Sequence, residues 1–125
     1  MIVTRIGLNK ACQQCLGLLL LAPTIAAADS VTHPPPAGWQ LNNNALECVY
    51  ELTNFVDSVE FVNQLVEPSE RLRHHPEIEI IYNQVSISLT THDAGGLTEL
   101  DYQLAEEISA IAAQQDPPLQ CVPRM

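Results

Sequence analysis

The stretch Glu77–Thr91 reads EIEIIYNQVSISLTT and alternates apolar with polar residues along most of its length. A period of two is typical of β-strands that bury one face. Asn83-Gln84 interrupts the pattern and predicts a tight turn, so the stretch should fold as an antiparallel hairpin. The side chains expected to face the core are those of Ile78, Ile80, Tyr82, Val85, Ile87 and Leu89.

Upstream of this hairpin, the sequence predicts a second pair of strands. Ala45–Leu52 (ALECVYEL) alternates as well, and its apolar side chains should share one face. A shorter strand near Trp39–Leu41 is expected to pair with it across Asn42-Asn43-Asn44, because asparagine is common in turns.

A helix is predicted between the two pairs of strands. Asn54 is a suitable N-cap for it, and Pro76 marks the limit before which it should end. Pro68 lies inside the helical pattern and should kink it, because proline lacks a backbone N–H. The expected apolar stripe consists of Phe55, Val59, Val62 and Val66.

A second helix is predicted after the hairpin, beginning at Thr98 with the capping-box-like sequence TELD. Its expected apolar stripe consists of Leu100, Leu104, Ile108 and Ile111. The order β-β-α-β-β-α predicts an α+β fold, a two-layer sandwich with a four-stranded antiparallel sheet and the helices packed on one face.

The two ends of the chain are predicted to lie outside this domain. Residues 1–28 have a weakly basic start, a short apolar run and Ala26-Ala27-Ala28 before Asp29, which predicts a secretory signal peptide. A cytosolic leader or a wrongly assigned start codon is the alternative. Residues 29–38 are a proline-rich linker, residues 39–116 the domain, and residues 117–125 a frayed tail. The protein is thus expected to be exported or periplasmic if the leader is cleaved, and cytoplasmic otherwise.

The net charge of the chain after the predicted leader limits the kinds of molecule that it can bind. Residues 29–125 contain fifteen carboxylates and three arginines, a formal charge of −12. Such a surface repels nucleic acid and anionic lipid, so we expect neither nucleic-acid binding nor stable membrane association after removal of the leader.

Two of the four cysteines lie in the predicted leader and two in the rest of the chain. Cys12 and Cys15 form a C-x-x-C pair that precedes an apolar run and lacks the strand context of a redox motif. Cys48 and Cys121 could pair in an oxidising compartment, but the sequence does not show whether they are close enough.

Three histidines stand at the predicted ends of elements: His74 and His75 after the first helix, and His92 after the last strand. Such positions commonly present side chains to a ligand. Zinc bound by these histidines with Glu70 or Asp93 is an alternative. Adjacent histidines are awkward ligands for one ion, however, so we expect no metal.

The spacing Glu70-x-x-x-His74-His75-Pro76, followed by Tyr82, His92 and Asp101, resembles the signature of the pterin-4a-carbinolamine dehydratases. The run His92–Thr98 (HDAGGLT) resembles the next block of that family. The resemblance implies a hydro-lyase without a cofactor that converts 4a-hydroxytetrahydropterin to quinonoid dihydropterin in pterin recycling. It also implies a homo-oligomer, a dimer or a tetramer.

The same resemblance places the three histidines around the pterin. Our hypothesis is that His74 and His92 exchange protons with the substrate while His75 orients it. Four further residues are candidates for supporting or binding roles: Glu70, Asp93, Asp101 and Trp39.

Three of these four residues have specific predicted roles. Glu70 lies one helical turn before His74 and should reach it. Asp101 either holds His92 in one tautomer or complements the helix dipole. Trp39 either stacks on the pterin or closes the sheet, and Tyr82 is expected in the core rather than at the ligand.

Two departures from the family concern the histidine pair. Arg73 stands where the family usually has Asn or Asp, and Pro68 replaces an ordinary helical residue. A non-catalytic pterin-binding or protein-assembly module is the alternative function, since relatives of this fold serve a transcription factor or a carbon-fixing enzyme in that way. The retention of all three histidines favours catalysis.

Overall fold

In the computed structural model, which describes residues 33–125, two antiparallel hairpins and a short fifth strand form a sheet, and three helices pack on it. The predicted signal peptide, with Cys12 and Cys15, and the start of the linker lie outside the described residues. The elements in chain order are β1 (Gln40–Asn42), β2 (Ala45–Glu51), α1 (Phe55–Gln64), α2 (Val66–Leu72), β3 (Glu77–Ile81), β4 (Gln84–Leu89), a short 3-10 helix (His92–Ala94), α3 (Glu99–Ala113) and β5 (Cys121–Val122).

All pairings in the sheet are antiparallel, and the strand order is β1-β2-β4-β3. Strand β5 pairs with the same edge of β2 as β1 does, but further along β2. The predicted α+β class is confirmed, and the four predicted strands are present. The core lies between the sheet and the helices, where Leu46, Tyr50, Leu89, Leu104 and Ile108 are at most 1% exposed.

The first hairpin turns at the predicted asparagines. Asn42 pairs with Ala45, and Asn43 and Asn44 have φ angles of 46° and 64°. Two consecutive residues with positive φ suit the right-handed twist of the strands, and asparagine tolerates that conformation better than most residues.

The second hairpin turns one residue earlier than predicted. Ile81 pairs with Gln84, so the turn consists of Tyr82 and Asn83. Tyr82 has a φ of 52° and is 65% exposed; its predicted place in the core is therefore wrong. Alternation already ends at Ile80-Ile81, so Tyr82 belongs to the turn rather than to either face of the strand.

The helical segment between the hairpins begins as predicted and breaks in the middle. Asn54 Oδ1 accepts a hydrogen bond from the Asp57 N–H at 3.0 Å. The break falls at Leu65, between α1 and α2. Pro68 has no N–H to donate to the Gln64 carbonyl, so the helix cannot continue through it unbroken. It lies in the first turn of α2, where backbone N–H groups have no partner within the helix and a missing one costs nothing. The predicted kink is confirmed.

Three of the four residues of the apolar stripe predicted for this segment are exposed, whereas Val62 is partly buried against the core. Phe55, Val59 and Val66 are 53%, 36% and 55% exposed. The buried face consists instead of Ser58, Phe61, Leu65, Pro68 and Ser69. Contacts that are distant in sequence select this face, since the Phe61 ring packs against Tyr50 and the Ser58 hydroxyl donates to the Tyr82 carbonyl at 3.2 Å.

Helix α3 begins at the predicted N-cap, where the Thr98 N–H donates to Asp101 Oδ2 at 2.8 Å. Leu104 and Ile108 are buried as predicted, whereas Leu100 is 37% exposed. Tyr102 and Ala105 occupy the core in its place, so the buried face is rotated relative to the predicted stripe.

Near the end of the chain, two residues of the predicted tail form strand β5, which was not predicted. Val122 and Cys121 pair with Val49 and Tyr50 of β2, and Cys121 forms a disulfide with Cys48 over a Cα–Cα distance of 5.6 Å. The question of whether the two cysteines can pair is thereby answered. Across the described part of the chain, none of the helices has the length and apolar character required to cross a membrane.

Candidate active site

His74 and His75 follow a left-handed helix end that directs them to opposite sides. Arg73 has φ 51° and ψ 38°. Its N–H donates to the Glu70 carbonyl at 3.1 Å, and the His74 N–H donates to the Ser69 carbonyl at 3.0 Å. These two bonds form a Schellman motif. The His74 side chain consequently turns inward and is 10% exposed, whereas that of His75 is 64% exposed.

The inward imidazole contacts a buried carboxylate. His74 Nε2 lies 2.6 Å from Asp101 Oδ1, and the Asp101 side chain is 0% exposed. Asp101 Oδ2 accepts hydrogen bonds from the Thr91 hydroxyl and the Thr98 N–H, each at 2.8 Å. A buried charge is tolerated when it is paired and hydrogen-bonded in this way.

The carboxylate partners of the histidines differ from those predicted. We expected Asp101 to hydrogen-bond His92 or only to complement the helix dipole. It hydrogen-bonds His74 instead, and it also caps α3. Glu70, expected to reach His74, lies 2.8 Å from His75 Nε2 instead. The left-handed residue Arg73 explains the change, because it removes His74 from the helix face that Glu70 occupies.

His92 has a carboxylate partner that sequence reasoning missed. Its Nε2 lies 3.1 Å from Glu77 Oε1, and its side chain is 76% exposed. Glu77 stands two residues after His75 and begins β3. The proximity of Glu77 to the His-His-Pro run was a signal in the sequence, but its contact with His92 depends on the pairing of β3 with β4.

Two links connect the three histidines. Thr91, which precedes His92, shares the Asp101 carboxylate with His74. Glu77, which follows the His74-His75 pair, bonds His92. The site therefore contains one buried and two exposed imidazoles. In each of them one ring nitrogen is hydrogen-bonded to a carboxylate and the other ring nitrogen is not. Such a set can accept, donate and hold protons.

The remaining predicted site residues lie in different surroundings. Asp93 is exposed on the 3-10 helix beside His92. Trp39 is 5% exposed within the core, and its Nε1 donates to Ser109 Oγ at 2.9 Å. Of the two roles considered for Trp39, this position favours closure of the sheet over stacking on a ligand.

Two further observations concern possible ligands. Within residues 33–125, no three His, Cys, Asp or Glu side chains are grouped closely enough to hold a metal ion. A cleft of about 580 Å³ opens between the end of β2, α1 and the segment after α3, and none of the three histidines lines it. Because an imidazole can exchange protons near neutral pH, we take the three histidines rather than this cleft as the candidate site.

Comparison with protein families gives one match that covers most of the chain. Residues 23–111 match a family model described as pterin 4 alpha carbinolamine dehydratase. A curated relative from Trichormus variabilis, named provisionally as such a dehydratase, is 49% identical over 75 residues, covering 60% of this chain and 81% of the relative. A relative with the same provisional name from Acidobacterium capsulatum is 48% identical over 73 residues, covering 58% and 79%.

Solved structures agree with this match. A protein from Brucella melitensis described as a transcriptional coactivator/pterin dehydratase superposes with a TM-score of 0.58 at 36% identity, covering 61% of this chain and 83% of that one. A pterin dehydratase-like protein identified as a RuBisCO assembly factor in the alpha-carboxysome superposes with a TM-score of 0.50 at 22% identity, covering 62% and 89%. The second similarity concerns the fold alone.

Proposed function

The chain belongs to the pterin-4-alpha-carbinolamine dehydratase family, and on that premise we propose that it removes water from 4a-hydroxytetrahydropterin to give quinonoid dihydropterin. The observation that carries the proposal is the set of three carboxylate-paired histidines, one of them buried against Asp101. Imidazoles paired in this way are suited to the proton transfers that the reaction requires.

The reaction needs one proton delivered and one removed. The C4a–O bond breaks as the departing hydroxyl receives a proton, and the N5–H bond breaks as its electron pair forms the C4a–N5 double bond. Imidazoles suit both transfers, because their unperturbed pKa lies near neutrality. In our proposal His74 and His92 exchange these protons, and His75, steadied by Glu70, orients the pterin.

Stopped-flow measurement of dehydration tests the proposal. Substitutions His74→Ala and His92→Ala should each lower turnover by about 10²–10⁴-fold, the range for general acid–base catalysis. His33→Ala is the matched control, because His33 is partnered by Glu99 rather than by the carboxylates of the three site histidines, and it should retain wild-type turnover.

Two outcomes would count against catalysis. A folded wild-type protein that does not accelerate dehydration over buffer would favour a non-catalytic pterin-binding or protein-assembly module. Turnover of both alanine variants at the wild-type level would exclude proton transfer by His74 and His92.

We also propose that the protein is exported. The Cys48–Cys121 disulfide supports this, since disulfides persist mainly in oxidising compartments. Mass spectrometry of the natural protein should find an N-terminus at or near Asp29, and an intact Met1 in the cytosolic fraction would contradict export.

A homo-oligomer is the remaining part of the proposal. Four apolar side chains of α1 and α2 face solvent in the single chain, and a second copy would cover them. These are Phe55, Val56, Val59 and Val66, which are 36–62% exposed. Light scattering of the purified protein measures the number of subunits, and a monomeric mass would overturn this part.

A further inference from the structure

The hydrogen bonds at Asp101 fit an ionised carboxylate. Oδ2 receives the Thr98 N–H at 2.8 Å, and a backbone N–H can only donate. The Thr91 hydroxyl reaches the same oxygen at 2.8 Å. Thr98 Oγ1 lies 2.8 Å from Thr91 Oγ1 and 3.3 Å from Asp101 Oδ2, and its proton can go to the nearer of the two. All of these bonds are satisfied at once if Asp101 is ionised, because a carboxylate is a pure acceptor.

An ionised Asp101 in turn determines the tautomer of His74. Oδ1 is an acceptor, so the proton in the 2.6 Å contact with His74 belongs to Nε2. In a neutral imidazole the lone pair then resides on Nδ1. His74 can therefore accept a proton at Nδ1, and the resulting imidazolium faces a buried negative charge that stabilises it.

We propose that Thr91 is a positioning residue that holds Asp101, and through it His74, so that Nδ1 of His74 is the base for the pterin N5 proton. This inference rests on the proposed function. It assigns the acid role to His92: the N5–H proton moves to His74 Nδ1, and a proton from His92 leaves with the C4a hydroxyl as water. Solvent then returns a proton to His92 and takes one from His74, so the cycle balances.

Three variants of the full chain test the role of Thr91. Thr91→Val keeps a β-branched side chain of similar size but removes the hydroxyl, and Thr91→Ser keeps the hydroxyl. Thr90→Val is the matched control, because the Thr90 hydroxyl donates at 2.9 Å to the Asn44 carbonyl, away from Asp101. The readouts are kcat and KM for dehydration and the tautomer of His74 from the ¹⁵N shifts of its ring.

Wild-type protein should show the His74 proton on Nε2. Thr91→Val should show a mixture of tautomers and a kcat lower by about 10- to 100-fold, the size expected for a hydrogen bond to a charged group, with KM little changed. Thr91→Ser should restore both properties, and Thr90→Val should match wild type.

The tautomer separates this inference from the proposed function. A wild-type proton on Nδ1, which requires no variant to detect, overturns the inference. So does an active Thr91→Val enzyme with the wild-type tautomer and kcat. An inactive wild type whose His74 tautomer still depends on Thr91 overturns the proposed function and supports the positioning role.

Discussion

Arg73 adopts a backbone conformation that favours glycine or asparagine, with φ at 51° and ψ at 38°. For most residues this left-handed conformation costs about 1–2 kcal/mol, and asparagine is one of the exceptions. The substitution Arg73→Asn should therefore raise the free energy of unfolding by up to about 1 kcal/mol. Urea denaturation in high salt, which screens the lost charge, measures the change. Arg73→Lys is the control, and equal stability of the two variants would contradict the prediction.

The same residue decides what the histidine pair does. Continued α-helix through Arg73 would put His74 above Glu70, as the four-residue spacing predicted. The left-handed turn instead directs His74 to Asp101 and returns His75 to Glu70. A backbone dihedral at one position thus determines which imidazole is buried.

At the scale of elements, β5 depends on a close backbone approach at Gly38. A Cβ there would lie 2.7 Å from the Cys121 carbonyl oxygen, and φ is +85°. Gly95 is a matched control, with φ at +70° but no atom within 4 Å of the added Cβ. Gly95→Ala should cost about 1 kcal/mol of stability from backbone strain alone. Gly38→Ala should cost about 3 kcal/mol, because a steric clash is added.

Denaturation curves of the two alanine variants check this difference. Hydrogen exchange should also show faster exchange in β5 and in the residues of β2 that it pairs with, Val49 and Tyr50, for Gly38→Ala only. Equal losses of stability in the two variants would show that the contact with Cys121 contributes nothing.

At the scale of the whole molecule, the disulfide joins residues 73 positions apart and ties the end of the chain to the sheet. Closing a loop of that length restricts the unfolded chain, and loss of such a bond typically costs about 2–5 kcal/mol. Reduction should lower the unfolding free energy by that amount. A Cys48→Ser/Cys121→Ser variant should show the lower stability with and without reductant. An oxidised protein no more stable than this variant would contradict the prediction.

Much of the fold could be predicted, because it rests on local patterns. Alternation located β2, β3 and β4, the asparagine cluster indicated the turn between β1 and β2, and Asn54 and Thr98 marked where α1 and α3 begin. The buried face of α1 could not be predicted, because apolar residues occur on two overlapping stripes. Phe55 and Val59 fit helical spacing as well as Phe61 and Leu65 do, and contacts with β2 and the Tyr82 turn select the second set.

For the candidate site, the sequence by itself determined the residue types: two adjacent histidines after a helix, a third after a strand, and an aspartate at a helix N-terminus. Such features depend on neighbours within a few positions. Only the tertiary structure decided which carboxylate meets which imidazole, since His74 and Asp101 are separated by 27 residues. The physical reason is that spacing along a chain fixes local geometry, whereas distant partners meet through strand register and helix packing.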